Sequence, residues 1–368
     1  MKIMTVFGTR PEGIKMAPIV KELEKREGIE SVICITGQHR EMLDQVLRIF
    51  NIEPDYDLNI FKPGQTLTEI TTRALKGLEE VIIKERPDVL LVQGDTTTVF
   101  AGALAAFYQR VKIGHVEAGL RSGNLYSPYP EEANRKLTGI ITAYHFAPTE
   151  RNRQNLLKED YPDDKIFITG NTVIDALKYV IKDDYIFELD LLNSLDYENK
   201  RVILMTAHRS ENIGEPMEDI FTAIRDIIEK YEDVELVFPM HLNPKVREIA
   251  YSILSNNQRI HLIEPLDYES MENLMAKVNL IVTDSGGLQE EGPTFGKPVL
   301  VVREETERPE GIEAGTAKLV GTKYNDVFNE LDLLLSNKDE YNKMANAVNP
   351  YGDGKASERI VDILLNNK

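Results

Sequence analysis

Short apolar runs alternate with longer amphipathic segments along almost the whole chain, and this rhythm constrains the fold more than any other feature. Residues 2–7, 31–36 and 88–93 are largely apolar and β-branched, as strands buried on both faces usually are. Helix-length segments separate them, and one is predicted to begin at Thr66, with Glu69 three residues on at the spacing of a capping box. This alternation is typical of βαβ units and predicts an α/β fold with parallel sheets.

The strand pattern occurs in two blocks. Further strands of the first block are predicted at 112–117, 144–147 and 165–169, and those of the second at 201–206, 234–239, 259–263, 280–284 and 298–302. At 368 residues the chain exceeds what one hydrophobic core usually organises. We therefore predict two Rossmann-like domains, 1–172 and 201–368, joined by a connection at 173–200. The last helix, within 355–368, stays on the second domain or crosses back to the first.

Composition and charge exclude several classes of protein. The net charge of −18 repels nucleic acid and anionic membranes, so we predict neither as a partner. Cys34 is the only cysteine and lies in an apolar run, so we expect a buried thiol and neither an intrachain disulfide nor a cysteine zinc site. No stretch reaches the ~20 apolar residues of a membrane span, and no signal-peptide cleavage site is evident, which predicts a cytoplasmic protein.

Unusual polar residues follow the predicted strands of the first domain, at the sheet edge where doubly wound folds bind ligands. Arg10 and Lys15 place two cations around a glycine turn and a helix start, where an anion can bind, although a turn with surface cations is the alternative. Asp95 follows the strand 88–93 and is a fair N-cap for the next helix.

Two glutamates of the first domain are also candidates for chemistry. Glu117 ends a predicted strand among small residues, whereas a solvated glutamate usually lies on a helix face. Glu131 follows Pro130, which favours a helix start, and the alternative is that this glutamate only complements the helix dipole.

The second domain has its own polar strand ends. His208 and His241 follow the strands at 201–206 and 234–239, where an imidazole can donate a hydrogen bond to a phosphate or a leaving oxygen. A lone histidine is more often structural, but two at corresponding strand ends favour a function.

A glycine-rich turn at 284–293 gives the sharpest signal. Ser285 can cap the helix that follows, and the adjacent glycine pair lets a diphosphate approach free N–H groups. Glu291 can accept both hydroxyls of a ribose, and Arg303 and Arg308 follow the next strand. The turn therefore predicts a nucleotide-diphosphate site.

Six motifs taken together closely resemble the non-hydrolysing UDP-N-acetylglucosamine 2-epimerases, over Lys2 to about Gly315. The motifs are Gly8-Thr9-Arg10-Pro11-Glu12, Gln93-Gly94-Asp95-Thr96, the run from Gly114 to Arg121, Pro130-Glu131-Glu132-Ala133-Asn134-Arg135, His208-Arg209-Ser210-Glu211-Asn212 and Asp284-Ser285-Gly286-Gly287. The resemblance implies GT-B architecture with an active site in the interdomain cleft, and usually a homodimer. It implies the reversible conversion of UDP-N-acetylglucosamine to UDP-N-acetylmannosamine for cell-surface polysaccharide, with no metal, nicotinamide or other cofactor.

The resemblance also implies roles for individual residues. The acid/base carboxylates match Asp95, Glu117 and Glu131, and the active-site histidine matches His208. The diphosphate and nucleotide contacts match Arg10, Lys15, Ser285, Gly286, Gly287, Glu291 and Arg308. Bacterial members of the family resemble one another in a regulatory second substrate site. The residues of this chain that look like parts of that site are Gln38, His39, Gln45, Arg209, Glu211 and His241. The family's reaction is an anti elimination of UDP to 2-acetamidoglucal, followed by re-addition of UDP.

Four other functions remain open at this point. A GT-B glycosyltransferase would share the fold and the UDP site, although three carboxyl groups in the first domain exceed the one base, or none, that a transferase usually needs. A hydrolysing epimerase would release UDP and free N-acetylmannosamine. A related epimerase would act on a UDP-sugar with extra acetamido or carboxylate groups. The fourth alternative is not an enzyme but a sensor that binds a nucleotide sugar without catalysis.

Overall fold

The computed structural model describes residues 1–38 and 40–367, which form two compact units. Unit 1 contains Met1–Tyr179 and the stretch that begins at Tyr351, and unit 2 contains Val180–Pro350. Each unit is built on one parallel sheet with helices between successive strands, as the alternation of apolar runs and amphipathic segments predicts. The predicted α/β class is confirmed.

The sheet of unit 1 has its two shortest strands at its edges. Its strands are β1 (Lys2–Phe7), β2 (Glu30–Ile35), β3 (Tyr56–Asp57), β4 (Val89–Gln93), β5 (Lys112–Val116), β6 (Tyr144–Ala147) and β7 (Ile166–Ile168). Among the described residues they form a seven-stranded parallel sheet in the order β3-β2-β1-β4-β5-β6-β7. All five residues of β4 are buried, because helices cover both faces of a doubly wound sheet.

The helices of unit 1 follow its strands. They are α1 (Arg10–Lys25), α2 (Arg40–Ile49), α3 (Leu67–Glu85), α4 (Thr97–Tyr108), α5 (Glu131–Ile141), α6 (Glu150–Lys158) and α7 (Thr172–Val180), and the chain returns to this unit with α16 (Ala356–Asn366). The predicted capping box of α3 is confirmed: Thr66 Oγ1 accepts from Glu69 N at 3.2 Å and Glu69 Oε2 from Thr66 N at 2.7 Å.

Unit 2 repeats the same design. Its strands are β8 (Arg201–Thr206), β9 (Val234–Pro239), β10 (Ile260–Ile263), β11 (Leu280–Thr283), β12 (Val299–Val301) and β13 (Ala317–Leu319). Within residues 180–350, all of which the structure describes, they form a six-stranded parallel sheet in the order β10-β9-β8-β11-β12-β13. Its helices are α8 (Asp190–Ser194), α9 (Glu215–Lys230), α10 (Pro244–Leu254), α11 (Tyr268–Lys277), α12 (Gly286–Glu291), α13 (Pro309–Ala314), α14 (Tyr324–Ser336) and α15 (Lys338–Ala345).

Some boundaries differ from the predicted ones. The two short edge strands, β3 and β13, were not predicted, because two or three residues are too few to show a strand pattern. Helices α7 and α8 occupy much of the predicted connection. The final helix, α16, packs against α1 in unit 1, where Arg26 Nη2 pairs with Asp362 Oδ1 at 3.0 Å. No helix in the described part of the chain is both long enough and apolar enough to span a membrane.

Cys34 lies in β2 and is fully buried, as predicted. Burial raises the pKa of its thiol to about 12, and the nearby carboxylates of Asp57 and Asp55 act in the same direction. The thiol therefore stays protonated and serves as a small core residue.

Candidate functional site

Glu117 has the most constrained backbone among the predicted catalytic residues. It directly follows β5 and has a φ of 64°, a left-handed conformation that costs a non-glycine residue about 1 kcal/mol or more. Its carboxylate pairs with Lys15 Nζ at 2.5 Å, and it accepts hydrogen bonds from the amides of Gln93 and, at 3.4 Å, Asn171. The side chain is therefore held among a cation and two amide donors, as expected of a functional carboxylate.

Asp95 is held by an arginine rather than used as a helix cap. Its Oδ2 lies 2.6 Å from Arg135 Nη2 and 2.9 Å from Arg135 Nε, and its backbone carbonyl accepts from Asn134 Nδ2 at 2.9 Å. The prediction that Asp95 caps α4 is wrong, because Thr96 is the N-cap and accepts from Val99 N at 3.4 Å. The Asp95 carboxylate therefore binds a residue of α5 instead of capping α4.

Glu131 differs from both of these carboxylates. It is the first residue of α5, and Asn134 and Arg135 in the same turn contact Asp95. Its Oε2 is buried and has no hydrogen-bond partner among residues 1–38 and 40–367. A glutamate that only complemented a helix dipole would be solvated, so this buried oxygen favours a functional role.

Glu12 joins two of the turns that carry predicted site residues. Its Oε2 accepts from Gly8 N at 2.6 Å and Thr9 N at 2.8 Å, and its Oε1 accepts from the Thr96 hydroxyl. Burial raises the pKa of Glu12 to about 7, while these hydrogen bonds act in the opposite direction. The carboxyl group fixes the turn before Arg10 against the turn after β4, a role that the sequence analysis missed.

Two buried histidines lie side by side in the same sheet. His115 in β5 is in register with His145 in β6, and His115 Nε2 is 2.7 Å from the Gly94 carbonyl oxygen in the turn before Asp95. Burial lowers the pKa of His115 to about 4 and that of His145 to about 3. Both imidazoles are therefore neutral in the folded chain at pH 7.

The neutral histidines predict a loss of stability in acid. Below about pH 6.5 the unfolded chain binds protons at both imidazoles, while the folded chain does so only near pH 4 and 3. The contribution of the two histidines to the free energy of unfolding is therefore fully present above pH 6.5 and is lost as the pH falls. Glu12 acts oppositely, because its contribution is lost as the pH rises from 4.5 towards 7.

The variant His145→Phe isolates one histidine. Phenylalanine retains a ring against Tyr161, whose ring centroid lies 4.8 Å from that of His145. Urea denaturation at pH 6.5 and 4.5 measures how far the unfolding free energy falls between these two pH values. We expect this fall to be about 2 kcal/mol smaller in the variant than in the parent chain. Equal losses in the two proteins would show that His145 does not titrate on unfolding in this range.

In unit 2, His208 is bound to a buried carboxylate that the sequence analysis did not select. Asp284 Oδ1 lies 3.0 Å from His208 Nδ1, and Asp284 Oδ2 accepts from the backbone N–H groups of His208 and Arg209, each at 2.8 Å. Burial alone would raise the pKa of Asp284, but the hydrogen bonds and the positive charge that His208 can carry lower it. Asp284 is therefore an ionised group inside the unit.

His241 stands next to His208 at the carboxyl end of the neighbouring strand. The two rings stack with centroids 5.8 Å apart, and β8 and β9 are neighbours in the sheet. Glu211, on the same loop as His208, accepts a hydrogen bond from Arg303 Nη2 at 3.1 Å. The two imidazoles therefore lie at the carboxyl ends of the adjacent strands β8 and β9, and the ion pair joins the segments that follow β8 and β12.

The predicted diphosphate turn starts α12. Ser285 occupies the N-cap position, but its side chain makes no capping hydrogen bond, so that part of the prediction is wrong. A Cβ at Gly286 would lie 4.0 Å from Arg308 Cζ, and a Cβ at Gly287 would lie 3.6 Å from Glu291 Oε2. The helix start, the arginine and the glutamate predicted to bind the nucleotide therefore lie close together.

A second glutamate stands near Glu291. Glu272 on α11 is buried, and its Oε2 has no hydrogen-bond partner among the described residues. Burial first, and then the negative charge of Glu291, raise the pKa of Glu272 well above its ordinary value. Burial and the neighbouring charge therefore favour the protonated form of Glu272, and no motif in the sequence indicated this residue.

The residues predicted for a regulatory site fall in both units. In unit 1, Gln38 is buried and accepts from Thr98 Oγ1 at 2.9 Å, Gln45 is exposed on α2, and His39 lies outside the described residues. In unit 2, the residues predicted for the regulatory site are Arg209, Glu211 and His241. Arg209 Nε donates a hydrogen bond to the backbone carbonyl of Asp284 at 3.3 Å. Across 1–38 and 40–367, no group of three or more His, Cys, Asp or Glu side chains is arranged to hold a metal ion.

Comparison with known proteins decides the family. The family model for UDP-N-acetylglucosamine 2-epimerase matches residues 21–365. The chain belongs to the UDP-N-acetylglucosamine 2-epimerase family. The family resemblance of the six sequence motifs is thereby confirmed.

Individual relatives agree over the full chain. A Bacillus subtilis protein named UDP-N-acetylglucosamine 2-epimerase is 56% identical over 365 residues, which are 99% of this chain and 95% of that protein. The crystal structure of a Neisseria meningitidis UDP-GlcNAc 2-epimerase bound to UDP-GlcNAc has a TM-score of 0.87 and 52% identity, and covers 100% of both chains. A structure of S. aureus MnaA with UDP has a TM-score of 0.86 and 54% identity, and covers 100% of this chain and 96% of that one.

Proposed function

We propose that the chain is an isomerase that reversibly converts UDP-N-acetylglucosamine to UDP-N-acetylmannosamine without hydrolysing the nucleotide. The observation that supports it most is the set of three carboxyl groups in unit 1. Asp95 and Glu117 follow β4 and β5 and form ion pairs, and Glu131 begins α5 with a buried oxygen that has no hydrogen-bond partner among the described residues. A transferase that shares this fold has no evident need for three. Inverting a carbon requires proton removal on one face and delivery on the other.

The reaction that fits these groups is an elimination followed by an addition. Carbon 2 has no neighbouring carbonyl, so its proton does not leave as an enolising proton would. A carboxylate takes that proton while the bond between carbon 1 and the diphosphate oxygen breaks, and its electron pair stays on the oxygen. UDP adds back to the resulting 2-acetamidoglucal after a proton reaches carbon 2 from the opposite face.

The departing diphosphate needs preorganised positive charge. Stabilisation of developing charge is usually the largest catalytic contribution. We assign this role to Arg10, Lys15, His208, Arg308 and the start of α12 at Ser285 to Gly287, and we assign the ribose hydroxyls to Glu291. The closeness of Arg308 and Glu291 to the two glycines supports this assignment.

The environments of the three carboxyl groups suggest different roles. Asp95 and Glu117 are each held in an ion pair, with Arg135 and Lys15 respectively. The buried Oε2 of Glu131 has no hydrogen-bond partner among the described residues, which leaves this oxygen open to contact with the substrate. We therefore assign proton donation to Glu131 and proton removal to one of the two paired carboxylates.

Product analysis tests this function directly. Purified protein is incubated with UDP-N-acetylglucosamine alone, and the products are identified by proton and phosphorus NMR. We expect UDP-N-acetylmannosamine to form with the nucleotide intact. UDP with free N-acetylmannosamine would indicate a hydrolysing enzyme, and turnover only with an acceptor would indicate a glycosyltransferase. Turnover only of a UDP-sugar with extra substituents would indicate a related epimerase.

Exposed apolar side chains support a homodimer, as the family resemblance implies. Phe107 and Tyr108 on α4 are 52% and 60% exposed, and Leu137 and Ile140 on α5 are 46% and 70% exposed. The two helices pack against each other, so these side chains share one side of unit 1. Exposed apolar patches commonly mark protein interfaces. We propose that a second copy of the chain covers this surface.

Replacing Ile140 tests the proposed dimer. We expect light scattering to show a dimer for the parent chain and a monomer for Ile140→Asp, because a buried unpaired carboxylate at an interface costs several kcal/mol. The matched control is Ile186→Asp, since Ile186 is an 80% exposed isoleucine of unit 2. A parent monomer, or an Ile140→Asp dimer, would contradict the proposed interface.

We also propose, from the family resemblance, that a second molecule of the substrate binds to the enzyme and activates it. The proposed binding site involves Gln38, His39, Gln45, Arg209, Glu211 and His241. Initial rates should rise with an upward curvature at low UDP-N-acetylglucosamine concentration. A linear rise in that range would contradict activation.

A further inference from the structure

The contacts of His208 in unit 2 determine which of its two ring nitrogens carries the proton. Asp284 is fully buried at the end of β11, and its Oδ1 lies 3.0 Å from His208 Nδ1. No hydrogen bond of standard geometry reaches Oδ1 within residues 180–350, and its polar contact there is the ion pair with His208 Nδ1. An ionised carboxylate can only accept, so Nδ1 must be the donor.

The other carboxylate oxygen of Asp284, Oδ2, is also a hydrogen-bond acceptor. Oδ2 accepts from the backbone N–H groups of His208 and Arg209 at 2.8 Å and lies 3.4 Å from Asn212 Nδ2. Asn212 Nδ2 also donates to the Val302 carbonyl at 3.0 Å, which ties this loop to the end of β12. The carboxylate is therefore fixed in orientation by groups that are all donors.

We propose that Asp284 is a positioning residue that holds His208 with its proton on Nδ1 and turns Nε2 towards the substrate. Neutral His208 then offers Nε2 as an acceptor, and protonated His208 donates from Nε2 while Nδ1–H remains bound to Asp284. This inference rests on the proposed function for its catalytic consequence, but not for the tautomer.

The substitution Asp284→Asn tests whether Asp284 determines which ring nitrogen of His208 carries the proton. Because the two backbone N–H groups still need an acceptor, the new amide oxygen must take the place of Oδ2. The amide NH₂ then faces His208 Nδ1 as a donor, so Nδ1 must accept and the proton must move to Nε2. The change is nearly isosteric, yet it inverts the tautomer.

The tautomer is measured by nitrogen NMR of histidine-labelled protein at a pH above the imidazole titration, with the His208 signal assigned by its loss in His208→Gln. We expect a proton on Nδ1 in the parent chain and on Nε2 in Asp284→Asn. A parent chain with its proton on Nε2 would overturn the proposal, even if Asp284→Asn fails to fold. Because this measurement needs no turnover, its outcome is independent of the proposed epimerase activity.

Kinetics provide the second readout. We expect Asp284→Asn to lower kcat about 100-fold or more, with KM changed less than about threefold, since the substitution alters a proton position rather than a binding contact. The matched control is Asp326→Asn, an exposed aspartate of the same unit, which should keep the parent kcat. An Asp284→Asn enzyme with inverted tautomer and normal kcat would remove Asp284 from the mechanism.

Discussion

Glu131→Gln is expected to lower kcat about 100-fold or more while UDP binds with a Kd within about threefold of the parent value. Glutamine has nearly the same size but cannot carry a transferable proton. Glu131 has no salt bridge or hydrogen bond to lose among the described residues, so the substitution removes chemistry without breaking a contact. Titration calorimetry with UDP and NMR turnover assays measure the two effects separately.

Glu27→Gln is the matched control for Glu131→Gln, because Glu27 is an exposed glutamate of unit 1. It should behave as the parent chain in both assays. Glu117→Gln should also lower kcat, but it additionally breaks the ion pair with Lys15 and so has a less specific effect. Turnover of Glu131→Gln within threefold of the parent value would remove Glu131 from the mechanism.

Gly119→Ala is expected to destabilise the chain by about 3 kcal/mol more than the same change at Gly123. Gly119 has a φ of 89°, and an added Cβ would lie 2.2 Å from the carbonyl oxygen of Asn152 and 2.8 Å from its carbonyl carbon. Asn152 belongs to the capping box of α6, in which its side chain accepts from Thr149 N. The backbone that the methyl group meets therefore cannot move without loss of that cap.

Gly123→Ala separates the clash from the backbone strain. Gly123 has a φ of 79°, close to that of Gly119, but an added Cβ would meet nothing within 4 Å. Its cost should be about 1 kcal/mol, the penalty for a left-handed alanine. Urea denaturation of both variants measures the difference, and equal losses of unfolding free energy would show that the Asn152 carbonyl yields readily.

Local patterns in the sequence predict the strands and the helix starts well. The apolar run of β4 and the capping box at Thr66 depend on neighbouring residues, so they can be read from a short window. The cap of α4 shows the limit of such patterns. Asp95 and Thr96 are both good capping residues, and the choice between them is made by Arg135, which is far away in the sequence and binds Asp95.

The positions of the candidate site residues were more predictable than their partners. Glu117 was identified by its unusual place at a strand end, but its positive φ and its pairing with Lys15 follow only from the assembled sheet. Glu12 and Asp284 were visible in the motifs, yet nothing in the sequence shows that each is buried and holds two adjacent backbone N–H groups. Contacts between distant strand ends depend on strand order, which the sequence does not specify.

Proton NMR of the reaction in deuterated water is the most direct test of the proposed mechanism. The purified chain is given UDP-N-acetylglucosamine and no acceptor, and carbon 2 of substrate and product is followed with time. Proton removal and delivery at carbon 2 predict UDP-N-acetylmannosamine that carries deuterium at carbon 2, with the nucleotide intact. Epimerised product that retains the original hydrogen at carbon 2, or a spectrum without any UDP-N-acetylmannosamine, would contradict the mechanism proposed for the three carboxyl groups.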